Sequence, residues 1–156
     1  MIIHLIAVGT RCAPWTKIAF LDYQKRLPPE YRLKLITIPV SKRNKNALIT
    51  KNIAEEEKKI LAALPKRSRV IALDVKGQMW STQQLAQSLQ QWQLERQAIT
   101  LLIGGPDGLS ETCINNAEHI WSLSPLTLPH PLVRIVVAEQ LYRAWSLLSG
   151  HPYHRE

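Results

Sequence analysis

"RVIALDVKGQMWSTQQLAQSLQQWQLERQAITLLIG", residues 69–104, decides the fold. "RVIALD" (69–74) is a short apolar run of the kind that forms a buried strand. "STQQLAQSLQQWQLE" (81–95) is a helix opened by Ser81 or Thr82 as a cap. "AITLLIG" (98–104) is apolar again and ends on a glycine. The same alternation runs outward from this unit. Upstream, "IIHLIAV" (2–8) and "RLKLITI" (32–38) read as strands. Between them "PWTKIAFLDYQKRL" (14–27) starts at a proline suited to a first helical turn, with Trp15, Ile18, Ala19 and Tyr23 predicting its amphipathic face. Residues 46–63 read as a helix in which Glu55–Glu57 are offset by Lys58 and Lys59. Downstream come a helix after Leu109, a short apolar segment "IWSLS" (120–124) and a last helix from Pro131 to about Leu148. Strands alternating with helices predict an α/β protein with a largely parallel sheet. There is no repeat, low-complexity segment or linker, so one domain is expected over 1–156.

Composition agrees. A chain of 156 residues with 46% hydrophobic and 21% charged residues can bury one core and is not of the disordered class. Its longest apolar runs, such as "IVVA" (135–138), are far too short to span a bilayer, so no membrane partner is expected. The opening "MIIHLIAVGT" lacks a basic lead and a small-residue cleavage site and reads as a strand. Cys12 and Cys113 are far apart, with no metal-type spacing, and suit free thiols in a reducing cytoplasm.

Charge is lopsided. The net charge is +8, with 15 Lys or Arg against 5 Asp or Glu in residues 1–69, and 5 against 7 in residues 70–156. "SKRNKNALITK" (41–51) gathers Lys42, Arg43, Lys45 and Lys51. This is either a solvated loop and helix start or a phosphate-contacting edge, and the overall balance favours the second.

Ligands in open α/β sheets bind beyond the carboxyl ends of the strands. Three segments lie there: "ALD" (72–74), "IGGPDG" (103–108) and "LSPLTLPHP" (123–131). Gly104 and Gly105 remove side chains where a ligand can approach the backbone, though an ordinary turn is the competing reading. The G-x-G-x-x-G spacing of a dinucleotide site is missing, and so is a Walker lysine. Prolines 125, 129 and 131 prevent a regular strand and leave either a rigid connector or an extended backbone able to read a flat heteroaromatic ring. His130, His151 and His154 lack the carboxylate or cysteine support expected of a metal site. No nucleophile elbow is present.

The last helix is apolar on nearly every face, with a narrow polar stripe at Glu139, Gln140, Arg143 and Ser146. A helix of that kind covers two surfaces, here the sheet and, as an expectation, a second copy of the chain. The terminal "HPYHRE" (151–156) carries groups that stack, bind anions and exchange protons. It is either a solvated tail or part of a site.

The runs "LLIGGPDGLS" and "SLSPLTLPHPLVRIVVAEQLYRAWSLLSGHPYHRE", with the opening "LIAVGT", resemble the RlmH family over the whole chain. These are SPOUT-class bacterial methyltransferases of 23S ribosomal RNA. The resemblance implies a single SPOUT-type domain with a basic half (1–69) and a knotted, cofactor-bearing region (about 70–156). The knot is a C-terminal trefoil, a topology that sequence rules would not suggest. It also implies a homodimer, and S-adenosyl-L-methionine held by Leu73, Gly104 and Leu123–Leu128 (Leu123, Ser124, Pro125, Leu126, Thr127 and Leu128), with Gly105 beside them. The substrate it implies is N3 of a pseudouridine in the helix 69 loop, in assembled ribosomes. On that reading Arg143 stabilises the developing anion, with a pair to Glu139 as the alternative. Tyr153 stacks on a base, His154 exchanges a proton, and Arg155 joins Lys42, Arg43 and Lys45 in holding RNA. The general base stays open between His154, Glu139 and solvent. Two rivals remain: a ribosome-binding module without catalysis, and a methyltransferase acting on transfer RNA.

Overall fold

A computed structural model gives the fold and describes residues 1–42 and 48–155. The elements in chain order are β1 (Ile2–Val8), α1 (Pro14–Arg26), β2 (Arg32–Ile38), α2 (Ile49–Ala63), β3 (Arg69–Met79) and α3 (Thr82–Glu95). Then follow β4 (Ile99–Ile103), α4 (Glu111–Asn115), β5 (His119–Ser122), α5 (His130–Ser149) and a 3₁₀ turn (Pro152–His154). The five strands form one sheet in the order β2-β1-β4-β3-β5, and every pair is parallel. The expected α/β architecture is therefore present. Among the described residues no helix is long and apolar enough to cross a membrane.

Alternation along the strands builds two cores. Ile3, Leu5 and Ala7 of β1 and Leu101 of β4 face Phe20, Leu89, Trp92, Val137 and Leu141, so α1, α3 and α5 share one side of the sheet. Ile6, Val8 and Leu102 face Ile60 of α2 and Cys113 of α4 on the other. Strands covered on both faces read as continuous apolar runs, as these do.

Local chemistry fixes the boundaries. Ser81 caps α3 in a reciprocal box with Gln84, each side chain accepting from the other's backbone N–H. β3 outruns the expected 69–74 segment. It bulges between Leu73 and Gln78, both of which pair with Trp121, and so continues to Met79.

Two expectations change. In α1 the buried face is Thr16 and Phe20, continued by Tyr23 and Leu27, whereas Trp15 and Ile18 are 62% and 69% exposed. Two stripes at spacings of three and four run along this helix, and packing on the sheet selects the one led by Thr16. α5 packs against both α1 and α3, while Ile135, Val136 and Leu147 stay half-buried and Leu148 is exposed. Ser146 leaves the polar stripe altogether: it is fully buried and its hydroxyl donates to Arg143 O at 2.7 Å.

Candidate cofactor cavity and C-terminal cluster

A cavity of about 440 Å³ opens at the carboxyl ends of β4 and β5 and at the bulge of β3. That volume lies in the range of small-molecule sites, about 300–1,000 Å³. Leu73, Gly104, Gly105, Leu123, Ser124, Leu126, Thr127 and Leu128 all line it; Pro125 alone of the nine expected residues does not. Three loops far apart in sequence thus meet at one place.

Each loop is shaped locally. Gly105–Gly108 is a β-turn closed by Gly108 N–H donating to Gly105 O at 3.0 Å, with Pro106 at its second position. Gly104 is required by contact: a Cβ there would lie 2.5 Å from the carbonyl carbon of Gly108. In the 123–129 loop, Leu126 N–H donates to Ser124 Oγ at 3.0 Å, and the Ser122 hydroxyl donates to Ser124 O at 3.0 Å. The prolines keep the segment from pairing, and Leu126 stands 70% exposed at the mouth.

The structure adds residues to the cavity that the sequence reading did not assign. Asp74 is the acidic side chain in its lining, and its Oδ1 accepts from Lys76 N–H at 2.8 Å. Its position at the end of "ALD" was the available signal. His130 lines the cavity and packs on Gly9. Burial, with the Arg134 charge as a smaller cause, holds the His130 imidazole below its ordinary pKa.

Arg143, Tyr153 and His154 lie elsewhere. Arg143 ion-pairs with Glu139 at 2.6 Å and donates to it again through Nε at 2.8 Å. The pair is half-buried rather than on an open face. The Arg143 guanidinium also sits 4.9 Å over the Tyr153 ring. The Tyr153 hydroxyl donates to Glu139 at 3.1 Å, and the ring packs on Tyr142 at 4.6 Å. Burial, then hydrogen bonds to Tyr23 and Glu139 and the Glu139 charge, pushes the Tyr153 phenol above its ordinary pKa, so it stays protonated. Tyr153 is therefore docked, not frayed. His154, with Thr82, Gln83, Arg143 and Leu147, borders a recess of about 280 Å³ that shares no residue with the cofactor cavity.

α5 separates the two places. His130 begins it and Arg143 lies thirteen residues on, which at about 1.5 Å per residue is about 20 Å. His151 and His154 lie beyond the far end of the same helix, so they do not meet His130. Of the expected RNA contacts, Lys42, in the loop after β2, and Arg155, after the 3₁₀ turn, are exposed, and Arg43 and Lys45 lie outside the described residues.

The family model described as "Predicted SPOUT methyltransferase" matches residues 1–154. A probable methylase family protein from Haemophilus influenzae Rd KW20 is similar in structure, with a TM-score of 0.62 at 13% identity, over 99% of this chain and 70% of that one. A putative methylase family protein from Neisseria gonorrhoeae has a TM-score of 0.54 at 14% identity, over 90% of this chain and 81% of that one. At such identities the likeness is one of fold.

Proposed function

The chain belongs to the SPOUT methyltransferase family, and from that premise we propose that it methylates N3 of a pseudouridine in the helix 69 loop of 23S rRNA, in assembled cytoplasmic ribosomes and as a homodimer. The methyl donor is S-adenosyl-L-methionine, which supplies an electrophilic methyl group on a sulfonium. The cavity fits it. Apolar walls from Leu73, Ile103, Leu109 and Leu128 suit a flat ring, the glycine turn bares backbone groups for hydrogen bonding, and Asp74 offers one negative charge for a cation. Residues 123–129 and α5 form the threaded part of a trefoil knot within about 70–156. The RlmH-like runs "LLIGGPDGLS" and "SLSPLTLPHPLVRIVVAEQLYRAW" support the rRNA substrate over transfer RNA.

One observation carries the dimer and the mechanism together. Arg143, with Tyr153 and His154 beside it, lies ten residues or about 15 Å along α5 beyond Val133, the last residue of that helix to line the cofactor cavity of its own chain. Displacement at a methyl group needs reacting atoms roughly 3–3.5 Å apart. The C-terminal cluster therefore serves the cavity of a second copy, and each active site is composite. The exposed Trp15, Ile18 and Leu21 stripe on α1 is the apolar surface that such a copy covers.

The residues divide the chemistry. N3–H of the base lies between two carbonyls and is weakly acidic, so an anion must be stabilised as the proton leaves. Arg143 supplies the positive charge, and the protonated Tyr153 phenol donates or stacks rather than accepting the proton. Glu139 already accepts from Arg143, Tyr153 and Gln140. That leaves His154 or solvent as the proton acceptor. Labelled methyl transfer to intact ribosomes, protein-free 23S rRNA and transfer RNA tests the reading. Label on ribosomes, in a nucleoside that co-elutes with authentic N3-methylpseudouridine, is expected, and label on transfer RNA alone would overturn it.

A further inference from the structure

A second cavity, of about 330 Å³, lies on the other side of the first turn of α5. Thr10 of the β1–α1 loop, Lys17 and Phe20 of α1, Leu35 and Thr37 of β2, and Arg134 of α5 define it. Among the described residues no Asp or Glu lines it.

Arg134 is the anomaly there. It is only 5% exposed. Its Nη2 donates to Gly9 O at 2.6 Å and its Nη1 to Cys12 Sγ at 3.2 Å, while Nε has no hydrogen-bond partner among the described residues. Among those residues no carboxylate forms an ion pair with it. Arg69 shows the usual arrangement, with Glu95 at 2.8 Å and Glu118 at 2.7 Å. A guanidinium stays protonated in a protein, and a buried charge without a counter-charge is costly. Arg134 therefore places an uncompensated positive potential behind a recess whose mouth carries Lys17, and low-dielectric walls focus such a field.

We propose that this cavity is a second ligand site, for a phosphate group carried on a nucleoside. Lys17 and the threonine hydroxyls take the phosphate, Arg134 attracts it from behind, and the wall of Phe20 and Leu35 takes the sugar or base. On the methyltransferase reading above, the occupant is a nucleotide of the RNA flanking the target. The geometry supports this because His130 lines the cofactor cavity while Pro131 and Arg134, on the same helical turn, line the second one.

The test titrates the full chain with uridine 5′-monophosphate, uridine and a uridine hexanucleotide, followed by backbone amide shifts, with and without saturating S-adenosyl-L-methionine. The monophosphate is expected to shift residues 10–24 and 132–134, with or without the cofactor. Uridine binds at least roughly tenfold more weakly, the size of one lost charge-assisted hydrogen bond. Lys17→Gln weakens the monophosphate and leaves uridine unchanged, and Arg134→Lys, which keeps the charge, retains more affinity than Arg134→Met. A hexanucleotide that binds more tightly than the monophosphate identifies RNA as the source, and one that binds more weakly overturns the flanking-nucleotide assignment. Equal affinity for uridine and its monophosphate, indifference to Lys17→Gln, or shifts confined to 103–109 and 123–129 overturns the site. Failure of the wild-type chain to bind S-adenosyl-L-methionine is a separate result, which strikes the methyltransferase reading and not this one.

Discussion

The ring of His130 occupies the space that a side chain at residue 9 would need: a Cβ on Gly9 would lie 2.5 Å from His130 Cε1. Gly9 also has φ +120°, a backbone conformation that side chains disfavour. This contact ties the end of β1 to the start of α5, and so to the wall of the cofactor cavity. Gly9→Ala is expected to cost about 2 kcal/mol or more, because strain and a steric clash act together. It should also weaken S-adenosyl-L-methionine binding by displacing His130. Urea denaturation and calorimetric titration of the same variant measure the two effects.

Stability should fall on mild acidification. Burial lowers the pKa of both His130 and His4, with Arg134 and Lys34 adding repulsion and a backbone hydrogen bond to Ile99 partly offsetting the shift at His4. The unfolded chain then binds these protons more tightly than the folded one. Their contribution is complete above the ordinary value of 6.5 and is lost as pH falls through the lowered folded values. Denaturation midpoints at pH 8.0, 6.5 and 5.5 should decline in that order, conditions chosen to span the titration window. His130→Gln with His4→Gln should flatten the decline, and an unchanged slope in the double variant would count against this assignment.

Gly104→Ala tests the cavity without touching its side chains. The added methyl meets the Gly108 carbonyl carbon and Leu109 N, both backbone, so the 104–108 turn must move. Cofactor affinity should drop at least roughly tenfold, or about 1.4 kcal/mol. Ser110→Ala, which removes only the cap on Cys113 N–H, is the control: it should lose about 1 kcal/mol of stability and keep its affinity.

Composite sites predict complementation. Deleting 152–156 should abolish methyl transfer while leaving cofactor affinity near wild type, and Gly104→Ala, with its tail intact, should lose transfer at cofactor concentrations that its weakened cavity cannot fill. Mixed and re-equilibrated, the two inactive chains should recover roughly a quarter of wild-type activity, since half the dimers are mixed and each holds one intact site. No recovery, in a mixture shown to exchange subunits, removes the shared-site mechanism.

The exposed α1 stripe should hold the dimer together. Trp15→Glu with Ile18→Glu alters side chains that are 62% and 69% exposed, so the fold should survive with unchanged circular dichroism. Sedimentation should then show a monomer, and methyl transfer should be lost with it. A variant that remains dimeric shifts the interface to another face.

Much of the fold was legible from residue order. β1 and β2 fall on the residues expected, α3 opens at Ser81, and the prolines of 125–131 keep that segment out of the sheet. Backbone propensity and period are local properties, so local sequence reports them. The failures are equally physical. α1 carries two apolar stripes at helical spacing, and nothing in the sequence says which one the sheet will bury. β3 continues through a bulge because Trp121 pairs twice, a fact held by β5 rather than by β3.

The candidate site divides the same way. Sequence alone picked out the candidate segments: the strand-end position of "ALD", the glycines of "IGGPDG", the prolines of "LSPLTLPHP" and the functional groups of the tail. Only the tertiary structure decided how they are grouped. It joined the first three into one cavity, added Asp74 and His130, and left Arg134 buried beside a second cavity that no carboxylate lines among the described residues. It also held Arg143, with Tyr153 and His154 beside it, about 15 Å along α5 from Val133 at the edge of the first cavity. The physical reason is that a rigid helix fixes distance along its axis whatever its side chains favour, while contacts between loops depend on strand order, which no single segment encodes.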